Sequence, residues 1–216
     1  MVIWENIDTI LLDMDGTLLD LHFDNYFWRE HVPLRYAELH STTVEDAKST
    51  LFPIFRNKEG TIDWYCVDYW THTLGLDIAM LKEEVDHLIA VHPFVIDFLQ
   101  CLKDLEKKVA LVTNAHQKSL MLKMNETSLH NHLDHIICAH DFGMPKEEQP
   151  FWDKLKEVHD FDNARTLLCD DSLPVLRSAK QYGIEHLLAI YKPDSQRAEK
   201  DTEEFEGITY FKEIMP

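Results

Sequence analysis

Five short apolar runs punctuate the chain, at residues 7–12, 109–112, 136–139, 166–169 and 187–190. Each is bounded by polar positions and too short for a helix, which marks strands buried on both faces. Between the later runs the apolar spacing changes to three and four. Phe94, Val95, Phe98, Leu99, Leu102 and Leu105 form one such stripe, with Pro93 placed to open the helix. Further helices are predicted over 120–129, 150–159 and 173–182. Strands that alternate with helices call for an α/β fold: a parallel sheet covered by helices on both faces, with its site beyond the carboxyl ends of the strands.

Residues 20–91 break this rhythm. Aromatic and charged residues mix there at helical spacing, and no strong strand is visible. Helices are predicted over 25–39, 44–55, 64–74 and 79–89, separated by breakers at Ser41, Gly60 and Gly75. The segment reads as a small helical insert at 20–91, which leaves 1–19 and 92–216 to form the sheet-bearing core.

Composition narrows the functional classes. A hydrophobic fraction of 45% with 11% aromatics belongs to a globular chain, and 216 residues suffice for one large domain or a domain with an insert. Lys and Arg total 21 against 39 Asp and Glu, a formal charge of −18, which argues against a nucleic-acid partner because phosphate backbones need a basic stripe. A small phosphorylated partner remains compatible, since a metal ion and one or two local cations can meet its charge. Cys66, Cys101, Cys138 and Cys169 are widely spaced and show no C-x-x-C pair, so buried free thiols in a reducing compartment are expected. No basic-plus-apolar leader and no bilayer-length apolar run is present, and the expectation is a cytoplasmic protein without a membrane partner.

The first run ends abruptly in Asp13-Met14-Asp15-Gly16-Thr17-Leu18. Strand side chains alternate, so Asp13 and Asp15 leave the strand pointing the same way while Met14 turns inward. Gly16 permits a tight turn behind them, and Thr17 is expected to hydrogen-bond across it. A calcium loop would need more oxygen ligands spread over about twelve residues, whereas the stretch after Gly16 is apolar. Two carboxylates at one strand end suit phosphoryl transfer: one attacks phosphorus, and the other protonates the departing oxygen and later deprotonates a water.

Three later strand exits carry further candidates: Thr113-Asn114, Lys146 after Pro145, and Asp170-Asp171-Ser172. Singly they read as a helix cap, a solvated lysine and an N-cap cluster. Together they complete a site. A phosphate monoester meeting four carboxylates needs an oxygen-loving dication between them, and Mg²⁺ fits. Asp13 and Asp170 would be carboxylate ligands, Asp15 a ligand through its carbonyl, and Asp171 a ligand through water. Lys146 would hold the transferring oxygens, with hydrogen bonds from Thr113 and the Asn114 backbone.

In order, D-M-D-G-T-L, T-N, P-K and D-D-S resemble the motifs of the haloacid dehalogenase-like hydrolase superfamily, phosphatase branch, over the whole chain. The resemblance implies a Rossmann-like sheet with the first strand between the second and fourth, and a helical cap at 20–91. It further implies Asp13 as nucleophile, Asp15 as acid and base, Lys146 and Thr113 as phosphate ligands, and Mg²⁺ as cofactor. Asp15 sets the chain apart from the dehalogenase and phosphonatase branches. The fourth motif departs from the commoner G-D-x-x-x-D form, with Cys169 in place of Gly and Pro174 where the later acid often lies, and matches the variant with adjacent aspartates.

A narrower resemblance, to the GMP/IMP nucleotidase subgroup, rests on Asp24-Asn25-Tyr26-Phe27-Trp28, on 63–70 with Trp64, Tyr65, Asp68, Tyr69 and Trp70, on Thr113-Asn114-Ala115-His116 and on 142–147. It implies hydrolysis of purine nucleoside 5′-monophosphates, GMP and IMP, through an aspartyl-phosphate. Trp28, Trp64 and Tyr65 are then expected stacking surfaces, Asn25 or Asp68 polar readers of the base, and His116 a phosphate contact or a helix cap. The alternatives are a phosphatase of a sugar phosphate or phosphoglycolate, and a binding protein that kept the fold without turnover. The acidic stretch 199–206 is expected to be a solvated face, and the oligomeric state is left open.

Overall fold

The computed structural model describes residues 2–216. Six parallel strands form one sheet in the order β3-β2-β1-β4-β5-β6, with β1 at Thr9–Leu12, β2 at Lys108–Thr113, β3 at His135–Cys138, β4 at Thr166–Asp170, β5 at His186–Ile190 and β6 at Gly207–Ile208. The first strand lies between the second and fourth, as the motif order implied. Only β6, a two-residue pairing at the sheet edge, carries too little pattern to be read from sequence.

Successive strand residues feed opposite cores. Ile10, Leu12, Val109, Leu111, Leu167 and Cys169 pack on one face with α7 (Val95–Asp104) and α8 (Gln117–Thr127). Leu11, Ala110, Val112 and Leu168 pack on the other with α9 (Gln149–Val158) and α10 (Leu173–Tyr182). Burial on both faces is what suppresses the apolar-polar alternation in these strands. One expectation needs correcting: Phe94 does not belong to the α7 stripe. It sits at the N-cap with φ of 67° and is exposed, and Pro93 lies in the turn before the helix.

The polypeptide leaves the sheet after β1 and returns before α7. In between run α1 (His22–Tyr26), a π-helical stretch at Phe27–His31, α2 (Val32–His40), α3 (Val44–Arg56), α4 (Ile62–Tyr65), α5 (Val67–Leu74) and α6 (Ile78–Glu83). These helices share their own apolar cluster around Phe23, Phe27, Leu51, Phe55 and Trp70. The outgoing and returning chains are hydrogen-bonded to each other: Asp20 N–H donates to Ala90 O at 2.9 Å, and His92 N–H to Leu18 O at 2.9 Å.

Gly16 makes the turn after β1 possible. Its φ is +84°, and a Cβ there would lie 2.8 Å from Asp171 Cγ. The expected Thr17 hydrogen bond is absent, for Thr17 Oγ1 is buried without a partner. The turn is closed instead by the backbone, with Gly16 N–H donating to Leu19 O at 2.7 Å. Gly16→Ala combines a left-handed backbone with a clash, and should destabilise the protein by about 1–3 kcal/mol. A thermal melt unchanged from the parent would show that the turn relaxes freely.

Candidate active site

The strand registers converge on one point. Leu12 pairs with Leu111 and Cys169, so Asp13, one residue further, emerges beside Val112 and Asp170. Its N–H donates to Cys169 O at 3.0 Å, extending the ladder by one rung. Met14 is fully buried in the sheet core, and Asp13 and Asp15 both face the cavity above the strand ends. Lys146 reaches the same point from the loop after β3. Its Nζ lies 2.5 Å from Asp13 Oδ1, 2.6 Å from Asp170 Oδ2 and 3.0 Å from Val112 O. Asn114 fixes that loop: its Oδ1 accepts from Lys146 N–H at 2.9 Å, and its Nδ2 donates to Glu147 Oε2 at 2.9 Å. Thr113 Oγ1 accepts from Ala115 N–H at 3.0 Å, leaving the hydroxyl proton free to donate into the cavity it lines.

Burial dominates the electrostatics. It pushes Asp13, Asp170, Asp15 and Asp171 each up to about 6, against the neighbouring lysines that pull the other way. Asp170 raises Asp13, Asp171 raises Asp170, and Asp13 raises Asp171, as like charges do. Lys146 feels the converse: burial lowers it, but Asp13 and Asp170 outweigh burial and hold it charged. Carboxylate oxygens of Asp13, Asp170 and Asp171 lie within 4.8 Å of one another. An all-oxygen, excess-negative donor set of this kind fits a hard divalent cation.

Asp15 is held separately. Lys123 Nζ lies 2.6 Å from Asp15 Oδ1 and 2.6 Å from Asp24 Oδ2, and Lys82 Nζ is 2.9 Å from Asp24 Oδ1. Burial would raise Asp24, yet Lys123 and Lys82 together hold it well below the usual carboxylate range. Lys82 also sits 4.4 Å from the Phe27 ring centroid, a cation–π contact. The chain from Asp15 through Lys123 to Asp24 and Lys82 therefore ties the strand end to α1 and α6.

Above these groups lies a cavity of about 490 Å³, walled by Trp28, Trp64, Tyr65 and Asn25 from the helical segment and by His116 from the core. The Trp28 and Trp64 rings stack with centroids 6.4 Å apart. Tyr65 hydroxyl donates to Glu147 Oε1 at 2.8 Å, and Asn25 Nδ2 donates to Asp194 Oδ2 at 2.7 Å. Trp70 is fully buried and belongs to the packing. Asp68 does not line the cavity: it is exposed, pairs with Lys118 at 2.5 Å and lies 3.7 Å from His116 at the cavity's edge. His116 both caps α8, through Nδ1 accepting from Lys118 N–H at 3.3 Å, and lines the cavity.

Sequence reasoning missed Lys123, Lys82 and Lys200, and gave Asp24 a place in a motif but no role. Lys123 follows Leu120 by three and precedes Met124, and Lys82 follows Ile78 by four, so both lie on apolar helix faces where a lysine is out of place. That was the available signal. Lys200 falls inside the acidic stretch at 199–206, which is not merely a solvated face. Its Nζ bonds the Asp171 carbonyl and lies 3.3 Å from Asp171 Oδ2, while Thr202 and Phe205 are buried.

A family model for haloacid dehalogenase-like hydrolases matches residues 10–189. The chain belongs to this family. Among curated proteins, this hydrolase is 39% identical over 215 residues to the GMP/IMP nucleotidase YrfG of Escherichia coli, covering 100% of this chain and 97% of that protein, and equally to its Shigella flexneri counterpart. Among solved structures, it resembles a HAD phosphatase of Thermococcus onnurineus with a TM-score of 0.80 and 21% identity, covering 96% of each chain. The HAD hydrolase YfnB of Bacillus subtilis gives a TM-score of 0.68 at 18% identity, again covering 96% of both. Both structural likenesses establish the fold, and no helix among the described residues is long and apolar enough to cross a membrane.

The raised carboxylates make the hydrolase unstable to its own charge. Unfolded, these groups ionise near 3.8, so between about pH 4 and 6 the folded chain holds protons that the unfolded chain has released. Their contribution to stability is full below that window and falls as pH rises through it, while Asp24, with its lowered value, contributes in the opposite sense. In chelator at about pH 7.5, Asp171→Asn should raise the melting temperature by roughly 2–6 °C, and by less at about pH 4.5. A melting temperature lowered at both pH values would show that the Lys200 contact outweighs the repulsion.

Proposed function

We propose that the protein is a Mg²⁺-dependent phosphomonoesterase that hydrolyses purine nucleoside 5′-monophosphates, GMP and IMP, to nucleoside and phosphate. The observation that carries this reading is one cavity with a Lys146-bridged Asp13–Asp170 floor beneath a Trp28–Trp64 wall. The full-length similarity to a GMP/IMP nucleotidase supports the choice of substrate. We take residues 1–19 and 92–216 as the catalytic core and 20–91 as a cap, on the separate apolar cluster of the helices and the paired chain crossings beside Gly16. The four free cysteines fit a reducing setting such as the cytoplasm.

Mg²⁺ would be held by Asp13, Asp170 and the Asp15 carbonyl, with Asp171 acting through water. It supplies the positive charge that lets a phosphate dianion approach carboxylates. Asp13 attacks phosphorus, and the bond from phosphorus to the nucleoside oxygen breaks as Asp15 gives that oxygen its proton. A carboxyl raised to about 6 holds a proton near neutrality far more readily than an ordinary aspartate. Asp15, now ionised, then takes a proton from the water that attacks the aspartyl-phosphate, which restores the Asp13 carboxylate and the protonated Asp15. Lys146 and Thr113 bind the equatorial oxygens throughout, and Lys123 orients Asp15.

Asp13→Asn should reduce phosphate release at least about 10³-fold in a protein that still melts cooperatively, because it removes the attacking oxygen without changing size. Chelation should stop turnover and Mg²⁺ restore it; full activity in excess chelator would remove the metal from the mechanism. Base stacking is worth about 1–3 kcal/mol, so kcat/KM for GMP and IMP should exceed that for pyrimidine monophosphates and sugar phosphates by roughly tenfold to a hundredfold. Trp64→Ala should erode that preference while sparing a small aryl phosphate. Uniform rates over the panel would leave a phosphatase of another metabolite, and no release from any ester would leave a binding protein.

A further inference from the structure

We infer that Cys66, His116 and His140 form a second metal site, for a thiophilic divalent cation of the zinc class, and that its occupancy pins the helical segment over the cavity and inhibits turnover. The three residues come from distant parts of the chain. Cys66 joins α4 to α5 in the helical segment, His116 caps α8 just beyond β2, and His140 lies in the 3-10 turn at Ala139–Phe142 after β3. Their ligand atoms nevertheless lie within 4.8 Å of one another. The two imidazole rings stand edge to face, centroids 4.9 Å apart and planes at 79°.

An independent observation marks the cluster. His140 Nε2 is buried with no hydrogen-bond partner, a costly arrangement for a ring nitrogen unless something is meant to occupy its lone pair. Asp68 completes the surroundings. Its Oδ2 lies 3.7 Å from His116 Nε2, and its other oxygen neutralises Lys118, the cation that would otherwise repel a metal.

One thiol and two imidazoles with a carboxylate alongside are a zinc-type donor set, unlike the all-oxygen set at Asp13. Tetrahedral zinc places its ligand atoms roughly 3.5 Å apart, so atoms already within 4.8 Å of one another need only a small contraction on binding. The Cys66 thiol releases its proton to solvent, and no oxidation or reduction is involved. Coordination through His116 Nε2 moves that ring's proton to Nδ1 and gives up the long contact with Lys118 N–H. Because Cys66 lies between Tyr65 and Val67, both of which wall the cavity with His116, a bound ion cross-links the two sides of the mouth.

Metal binding stands on geometry alone; inhibition rests also on the proposed phosphatase reading, so the two are measured separately. Co²⁺ titrated into Mg²⁺-saturated protein should produce an intense thiolate-to-cobalt charge-transfer band in the near ultraviolet. Cys66→Ser, whose hydroxyl can still cap α5, should abolish the band, and His140→Gln should weaken cobalt binding about tenfold or more. With Mg²⁺ saturating, Zn²⁺ should inhibit hydrolysis of a small aryl phosphate, and Cys66→Ser should raise the half-inhibiting Zn²⁺ concentration about tenfold or more without altering the zinc-free rate. Absence of the band, or a band that survives Cys66→Ser, overturns the site. A band lost in Cys66→Ser together with equal zinc sensitivity of both proteins overturns the clamp, and a protein that hydrolyses no phosphate ester refutes the phosphatase reading while the cobalt result still decides the site.

Discussion

Four carboxylates gathered at adjoining strand ends are the constraint to which the rest of the molecule answers. In water they would repel weakly; beneath a helical layer their repulsion grows as the local dielectric falls. Lys146 meets this by placing one ammonium between Asp13 and Asp170, with Val112 O accepting its remaining proton. Removing either carboxylate would leave a buried cation half paired, and removing the lysine would leave two buried anions facing each other. The loop that carries Lys146 is in turn fixed by Asn114, which couples the geometry of a strand exit to that of a distant loop.

The second cation set works across the gap between sheet and helices. Lys123 gives one hydrogen bond to Asp15 and one to Asp24, and Lys82 holds the far oxygen of Asp24. Any displacement of α1 relative to α8 stretches a charge-assisted bond that also orients Asp15. The position of the helical layer and the geometry of Asp15 are thus one variable, set by two buried lysines that do not touch the Lys146-bridged pair.

Much of this was legible in the chain. Strands buried on both faces carry dense apolar runs, and parallel pairing forces their ends to one side, so Asp13, Thr113, Lys146 and Asp170 could be placed together from pattern and motif. Helix positions in the insert were approximate because breaks there are made by single residues: Cys66 interrupts what reads as one helix over 64–74. One continuous helix would put Asp68, four residues after Trp64 and three after Tyr65, on their face, whereas the break at Cys66 leaves it exposed. Lys200 was hidden by its acidic neighbours, since local charge says nothing about which residue of a loop turns inward. Lys82 and Lys123 were visible as lysines in apolar stripes, a conflict between residue type and position that a core normally forbids.

The crossing between sheet and helices has one further consequence. Residues 18–20 and 90–92 lie side by side, bonded backbone to backbone. A segment whose two ends share a single doorway can be lengthened, shortened or exchanged without moving any strand, because the sheet registers never pass through it. As long as Asp24 and Lys82 stay in place to hold Lys123, the shape of the wall is therefore free to change faster than the chemistry of the strand ends. In such a scaffold a new specificity can arise by replacing a room while the floor stays where it is.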